Sequence, residues 1–419
     1  MIVGGIVHVP GDKSISHRAL ILAALADGVS HLRDILTSAD IESTARVLRA
    51  LGAEIPRLAS SMEIAGRGRR GLRAPSTDLD CGNSGTTARL IAGVVAGHPF
   101  AARFTGDASL SRRPMQRVAK PLEAMGARVA FERGDGLPMT VHGGALRALK
   151  WETEMASAQA KSAVLLAGLV AGVPVVVREP ARSRDHTERM LHALGVDVDI
   201  VGDAVRLEPV ARIAPLDVRI PADPSSAAFM AALAVLASGG ALTVPDVCLN
   251  VTRTGFYRAL QRMGARIELH AETPQGGEEV GAVFAWASSL HAAEFGADDV
   301  PAMIDELPLL ACVASRATGT TVLSGAAELR VKESDRIAAV VANLRAVGVA
   351  ATESADGLTV TGTNAPLRGA VATHGDHRIA MAFGVLGALP GNSIAIDDPS
   401  CVAVSYPGFW DDLRAAVMG

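Results

Sequence analysis

The 419-residue sequence predicts an α/β protein of two domains, each built from three similar units packed around buried helices. Two interleaved repeats and the chain length carry that prediction. The first repeat is a Gly-terminated amphipathic segment: RVLRALGAEI (46–55), PLEAMGARV (121–129), MLHALGVDV (190–198), ALQRMGARIE (259–268) and NLRAVGVAA (343–351). Each reads as a helix closed by a glycine at C′ (Gly52, Gly126, Gly195, Gly264, Gly348) and running straight into a strand. A sixth, DDLRAAVMG (411–419), closes the chain. The second repeat is rich in small residues and apolar nearly all round: 16–28, 84–97, 161–172, 225–239, 306–319 and 377–389. A helix with no polar face is a buried helix. Together the repeats give six units of about 70 residues, each with two helices and short β-branched strands such as VPVVV (173–177) and GLTVTG (357–362).

Polar residues gather at one place on this pattern. GDKSISHR (11–18), CGNSGT (81–86), SAQAK (157–161), DPSS (223–226), IDE (304–306) and GDHR (375–378) stand before or within the first turn of the buried helices. Helix N-termini present free N–H groups and a partial positive charge, which attract anions. Capping by Ser accounts for Ser225 and Ser226, and an N-cap is the plain reading of Asp305. It does not account for Lys13, Arg18 and Arg378, because the dipole disfavours a cation there by ~0.3–1 kcal/mol. A bound anion would. Lys13 supplies a point charge and Arg18 a two-pronged fork.

Composition narrows the function. Hydrophobic residues are 49% and charged residues 20% of the chain, with a formal charge of −4, which excludes a generally basic nucleic-acid binder. At 3% aromatic content a base-stacking platform is not expected either. No apolar run reaches the ~20 residues that span a bilayer, and no basic-then-apolar leader opens the chain, so a cytoplasmic protein is expected. Cys81, Cys248, Cys312 and Cys401 are dispersed and form no CxxC, so reduced, mostly buried thiols are expected rather than a metal site. Only five of the 40 basic residues are lysine: Lys13, Lys120, Lys150, Lys161 and Lys332. In an arginine-rich chain, retained lysines point to positions that need a compact ammonium, and Lys120 and Lys150 are read as chance survivors.

Other motifs are weaker alone. GNSGTTAR offers glycines for close backbone approach and the Thr86 hydroxyl, but no GK[ST] follows, so it is not a P-loop. GDASLSRRPMQR (106–117) carries three arginines before a helix. RVKESDR (330–336) sets Glu333 and Arg336 three apart, as neighbours on a helix. SRDHTER (183–189) reads as an exposed helix start.

Taken in order, GDKSISHRALILAALA, GNSGTTARL, GDASLSRRPM, SAQAKSAVLLAG, SRDHTERM, RVKESDRI and GDHRIAMAF resemble the motifs of the 5-enolpyruvylshikimate-3-phosphate synthase family, class II more than class I, over nearly the whole chain. The resemblance implies the enolpyruvyl transferase fold, an inside-out α/β barrel of two domains, each with three βαβαββ units. Residues 12–222 would form one domain, inserted between 1–11 and 223–419, with substrates bound between them. It implies transfer of the enolpyruvyl group of phosphoenolpyruvate to the 5-hydroxyl of shikimate 3-phosphate through a tetrahedral intermediate, with no metal or organic cofactor. It also implies two small anionic substrates as the only partners, with no nucleic acid or membrane, and a monomer.

By the matching motifs, Lys13, Ser14 and Arg18 would bind shikimate 3-phosphate, joined by Ser157, Ala158, Gln159 and Arg184. Asn83, Gly85 and Thr86 would border the phosphoenolpyruvate pocket. Arg113, Arg336 and Arg378 would clamp that substrate, with His377 beside them. Asp305 would take the hydroxyl proton, Glu333 would manage protonation of the enol carbon, and Lys332 would lie beside the hydroxyl, so that Asp305, Glu333 and Lys13 form the catalytic set. Lys161 would order its turn without touching ligand. Many relatives carry a further lysine where this chain has Val404, so affinity for phosphoenolpyruvate is the quantity affected. Gly85 would leave room for the herbicide glyphosate, and sensitivity is expected. The alternative acceptor is that of UDP-N-acetylglucosamine enolpyruvyl transferase, whose usual loop cysteine has no counterpart here.

Overall fold

The computed structural model describes residues 1–418 of the chain, so Gly419, the end of the sixth Gly-terminated segment, lies outside it. The chain divides into two compact units: residues 11–220 with 275–278 (the inserted unit), and residues 1–10, 221–274 and 279 onward (the terminal unit).

The helices of the inserted unit alternate in kind. They are α1 (Lys13–Leu25), α2 (Ala39–Ala50), α3 (Gly85–Ala96), α4 (Gln116–Met125), α5 (Ala158–Ala171) and α6 (His186–Ala193). Helices α1, α3 and α5 are buried along almost their whole length, as bodies that are apolar all round beyond the first turns demand, whereas α2 and α4 keep an exposed face. Small residues let the buried helices touch through their backbones. A Cβ added at Gly93 of α3 would lie 2.1 Å from the carbonyl oxygen of Ala163 in α5.

Two of the three sheets repeat one arrangement. Ala101–Thr105 runs parallel to Leu79–Asp80 and antiparallel to Met139–His142, which pairs in turn with Arg128–Phe131. Val175–Arg178 stands in the same way between Leu149–Glu152 and the hairpin Asp197–Val201/Ala204–Glu208. Read along the chain, each is strand, buried helix, strand, second helix, hairpin: a βαβαββ unit. The third sheet joins Asp217–Arg219, Val29–Arg33 and Met62–Ala65.

The terminal unit uses the same grammar. Its helices are α7 (Pro224–Leu236), α8 (Gly255–Arg262), α9 (Leu307–Ala314), α10 (Arg336–Ala346), α11 (His377–Gly387) and α12 (Phe409–Ala415), with α7, α9 and α11 buried. Glu294–Phe295, Thr320–Leu323, Gly357–Thr361 and Ala350–Ser354 repeat the four-strand order. A five-stranded sheet holds Ile2–Val3 between Gly239–Cys248 and Val417–Met418, and Arg368–Val371 pairs with Ser393–Ile396. Phe409 packs edge-on against Phe229 and Tyr406, which ties the C-terminal helix to α7.

The five C′ glycines all hold positive φ, from 76° at Gly195 to 114° at Gly126, the left-handed conformation that ends a helix without a Cβ clash. Only Gly52 departs from the expected continuation. There the chain makes an isolated bridge at Glu54 and reaches its strand at Met62, ten residues on, because Arg49 Nε donates to the Ile55 carbonyl at 2.8 Å and holds a loop against α2. The arginines of 67–73 have a structural task. Arg69 and Arg70 each donate to a last-turn carbonyl of α5, those of Leu169 and Ala171, at 3.1 Å, where the helix dipole favours cations.

Candidate active site

In the inserted unit, side-chain bonds draw the N-terminal ends of α1, α3, α5 and α6 together. Asp12 caps α1, accepting the Ile15 N–H at 2.8 Å, which leaves Lys13 as its first residue. Lys13 Nζ meets Asp40, in the first turn of α2, at 3.2 Å. Arg18, one turn on, is buried and held by three elements. Its Nε donates to Thr187 Oγ1 of α6 at 2.6 Å, its Nη2 to Ser162 Oγ of α5 at 2.8 Å, and its Nη1 to the Ser14 carbonyl at 2.9 Å. Burial lowers its pKa to about 10; Glu188 and Asp12 oppose the shift, while Arg184 adds repulsion. Two guanidinium groups close enough to repel are a site that wants an anion. Beside Arg18, burial with the charges of Lys13 and Arg18 pushes His17 well below the usual histidine range, so the ring is neutral and joins the chain Thr44, Thr87, Ser84 from α1 to the cap of α3.

The turn that opens α3 forms a second cradle. Ser84 is its N-cap. Arg113 Nη2 donates to Asn83 Oδ1 at 2.6 Å, and the Asn83 amide donates to Asp107 at 2.6 Å. Arg89 Nη1 donates to Gln159 Oε1, and Gln159 Nε2 donates to Thr86 Oγ1 at 2.9 Å, which locks the SAQAK turn to the GNSGT turn. A Cβ on Gly85 would stand 3.2 Å from Arg89 Nη1 and 3.4 Å from Arg113 Nη1. Gly85 therefore keeps a guanidinium-walled space open.

The terminal unit collects carboxylates among cations at the starts of α7, α9, α10 and α11. Asp305 Oδ1 is 3.3 Å from Arg336 Nη1 and 3.9 Å from Lys332 Nζ, and its Oδ2 is 3.8 Å from Arg378 Nη2. Arg336 also meets Glu333 at 2.7 Å, and Asp376 grips it from Nε at 2.8 Å and Nη2 at 3.2 Å. Burial works against the Arg336 charge, but Asp376 and Glu333 outweigh it and its pKa rises. Burial lowers the Lys332 pKa, against the pull of Asp305 and Glu328. Arg378 Nη1 donates to the Asp305 carbonyl at 3.1 Å and lies 3.6 Å from Glu306, which accepts from Ser225 Oγ.

Three local readings change. Glu333 and Arg336 pair without a helix between them: a 3-10 turn ends at Val331, Asp335 caps α10, and Arg336 is its first residue. The cap of α7 is Asp223, which accepts the Ser225 and Ser226 N–H groups, so that Ser225 is free to serve Glu306. Asp305 is not a cap either; it lies ahead of α9 and faces cations. In the inserted unit Ser14, Ser157, Ala158, Gln159 and Arg184 are half-buried around this cluster, while His377 is buried at the first position of α11. Lys120 and Lys150 are exposed, whereas Lys161 is buried against Glu179 and Glu188. Val404 ends a 3-10 turn and is half-buried.

Sequence reasoning missed Arg89 and the carboxylates Glu179, Glu188 and Asp376. Arg89 carried a signal, because it sits four residues after Gly85 and so shares its helix face. The carboxylates were hidden by distance: each meets its cation 18 to 40 positions away, and Asp376 also reads as an ordinary cap.

Comparison with known proteins agrees over the full length. Residues 2–413 match the model of the family described as EPSP synthase (3-phosphoshikimate 1-carboxyvinyltransferase). A 3-phosphoshikimate 1-carboxyvinyltransferase of a Sulfurihydrogenibium species is 44% identical over 417 residues, covering 98% of this chain and 97% of the relative. That of Xylella fastidiosa is 47% identical, covering 99% and 92%. Among solved structures, EPSP synthase from Acinetobacter baumannii superposes with a TM-score of 0.86 at 39% identity, over 99% of this chain and 96% of that one. The enolpyruvyl transferase NikO from Streptomyces tendae shares the fold at a TM-score of 0.77 with 17% identity, over 99% and 95%. With two helix-start clusters in place and homology running end to end, the chain belongs to the EPSP synthase family.

Proposed function

We propose that the two clusters divide the work of the family reaction, transfer of the enolpyruvyl group of phosphoenolpyruvate to the 5-hydroxyl of shikimate 3-phosphate with release of phosphate. The inserted unit supplies most of the anion-binding residues. Lys13, Ser14, Arg18, Ser157, Ala158, Gln159 and Arg184 hold shikimate 3-phosphate. Asn83, Gly85, Thr86, Arg113 and the additional Arg89 line the phosphoenolpyruvate pocket. The terminal unit moves protons. Asp305 accepts the 5-hydroxyl proton as that oxygen adds to C2 of the enol, and Glu333 delivers a proton to C3. Glu333, ionised by that delivery, then takes a C3 proton back from the tetrahedral intermediate, which restores the double bond as the C2–O bond to phosphate breaks. Arg336, Arg378 and His377 hold the phosphoenolpyruvate phosphate and carboxylate, and Lys332 steadies the hydroxyl oxygen.

The observation that carries this reading is Asp305, half-buried and faced by Lys332, Arg336 and Arg378 at 3.3 to 3.9 Å. A carboxylate that faces three cations is placed to take the proton of a hydroxyl bound among them. The absence, among the described residues, of a helix long and apolar enough to cross a membrane fits a small-molecule enzyme acting in the cytoplasm, and a monomer is part of the reading. The test is phosphate release from phosphoenolpyruvate with and without shikimate 3-phosphate. Wild type releases phosphate only with that acceptor. Asp305→Ala loses about 10²–10⁴-fold in kcat, the range for a removed general base. Lys13→Ala loses a similar factor in kcat/KM. Release with UDP-N-acetylglucosamine instead would refute the acceptor assignment.

A further inference from the structure

Lys161 poses a problem that leads beyond the binding residues. It lies in the SAQAK motif of a cluster that binds anions, yet its ammonium is spent on two carboxylates. Nζ is 2.7 Å from Glu179 and 2.8 Å from Glu188, and all three side chains are at most 4% exposed. Burial works against its charge, but Glu188 and Glu179 outweigh it and the pKa is raised. A ligand phosphate gains no contact from this lysine, and the triad carries one net negative charge under a site for anions. Buried ion pairs are also weak sources of stability, since desolvation cancels most of their attraction. The triad therefore needs a reason other than charge or stability.

The bonds of Glu179 supply it. Oε1 accepts the backbone N–H of Ser157 at 2.9 Å, and the Ser183 hydroxyl reaches both oxygens at 2.8 and 2.7 Å. Ser157 is the N-cap of α5, and its φ of −148° puts its N–H outside the helix ladder. Ser183 opens the loop that carries Arg184. One carboxylate thus spans the cap of α5, the first turn of α5 through Lys161, and the Arg184 loop. Through Lys161 the tie runs on to Glu188 of α6, next to Thr187, which with Ser162 holds Arg18.

We propose that Glu179 is a positioning residue that sets the mutual geometry of the Ser157–Gln159 turn, the Arg184 loop and Arg18 for shikimate 3-phosphate. The inference rests on the assignment of that substrate to the inserted unit. A carboxylate is required because only a group with two acceptor oxygens can take an N–H, a hydroxyl and an ammonium at once. Lys161 and Glu188 make it affordable to bury, and touch no ligand.

The test is steady-state phosphate release and calorimetric binding of shikimate 3-phosphate alone, on wild type, Glu179→Gln and Ser183→Ala. Glutamine keeps the shape but has one acceptor oxygen. Glu179→Gln is expected to raise the Kd and KM for shikimate 3-phosphate about tenfold, with kcat and the KM for phosphoenolpyruvate within about threefold of wild type. Ser183→Ala leaves the Lys161 pair intact and is expected to raise the same KM about threefold, so it decides the matter if Glu179→Gln does not fold. An unchanged KM for shikimate 3-phosphate in the folded variants, or an equal rise for both substrates, overturns the positioning role. Wild type that neither binds nor uses shikimate 3-phosphate overturns the functional reading instead, a separate and distinguishable failure.

Discussion

The inserted and terminal units start from the same local design, buried helices whose first turns carry polar groups, and put opposite chemistry on it. In the inserted unit Arg18, Arg89 and Arg113 stand among hydroxyls and amides, while the nearby carboxylates Glu179 and Glu188 are consumed by Lys161. In the terminal unit the carboxylates themselves, Asp305 and Glu333, stand among the cations. The electropositive end of a helix attracts anions either way. What differs is whether the anion belongs to the ligand or to the protein. In the proposed reading the ligand supplies the anion in the inserted unit, and the resident carboxylates Asp305 and Glu333 handle protons in the terminal one.

Three substitutions sharpen that contrast. The largest effect is expected at Gly93, because α3 and α5 of the inserted unit meet there backbone to backbone. Gly93→Val would force the helices apart, and overpacking of this kind costs typically about 1–3 kcal/mol and occasionally more. The denaturation midpoint should fall accordingly, and an unchanged midpoint would show that α3 and α5 are less tightly keyed than described. Next is Gly85→Ala. Its methyl meets the side-chain ends of Arg89, Arg113 and, at 3.7 Å, Leu110, and no backbone, so folding should be little affected. Glyphosate inhibition should weaken by about tenfold and the KM for phosphoenolpyruvate should rise less. Wild type that turns over unhindered in millimolar glyphosate would contradict the assigned pocket.

The smallest effect is a pH shift at Lys332. Burial lowers its pKa from the ordinary 10.5, with Asp305, Glu328 and Glu333 opposing and Arg336 adding to the fall. Its charged form is therefore lost at lower pH than in an ordinary lysine, and kcat/KM should decline on the alkaline side before pH 10.5. Lys332→Arg should move that limb upward. The stability sign is the reverse. The folded state disfavours the charged form, so the penalty is full below the folded pKa and is relieved as pH rises towards the unfolded value. An alkaline limb that Lys332→Arg leaves in place would assign that limb to another group.

Local patterns in the sequence carried most of the fold. Gly52, Gly126, Gly195, Gly264 and Gly348 mark helix ends because only glycine enters the left-handed region without strain, and polar-free segments mark buried helices because no other setting suits them. Lysine usage separated exposed Lys120 and Lys150 from buried Lys161. Pairings across long separations were not legible. Nothing in the sequence ties Glu179 to Ser157, or Asp376 to Arg336, because those bonds exist only once the helices have packed. The bond of Ser225 to Glu306, 81 residues beyond it, shows the same limit.

The division of labour is tested most directly by measuring shikimate 3-phosphate binding and turnover together in Asp305→Asn. The account predicts a Kd within about threefold of wild type and a kcat lower by about 10²–10⁴-fold, since the carboxylate is lost and the inserted unit is untouched. Loss of shikimate 3-phosphate binding in step with turnover, or turnover that survives the substitution, would contradict it.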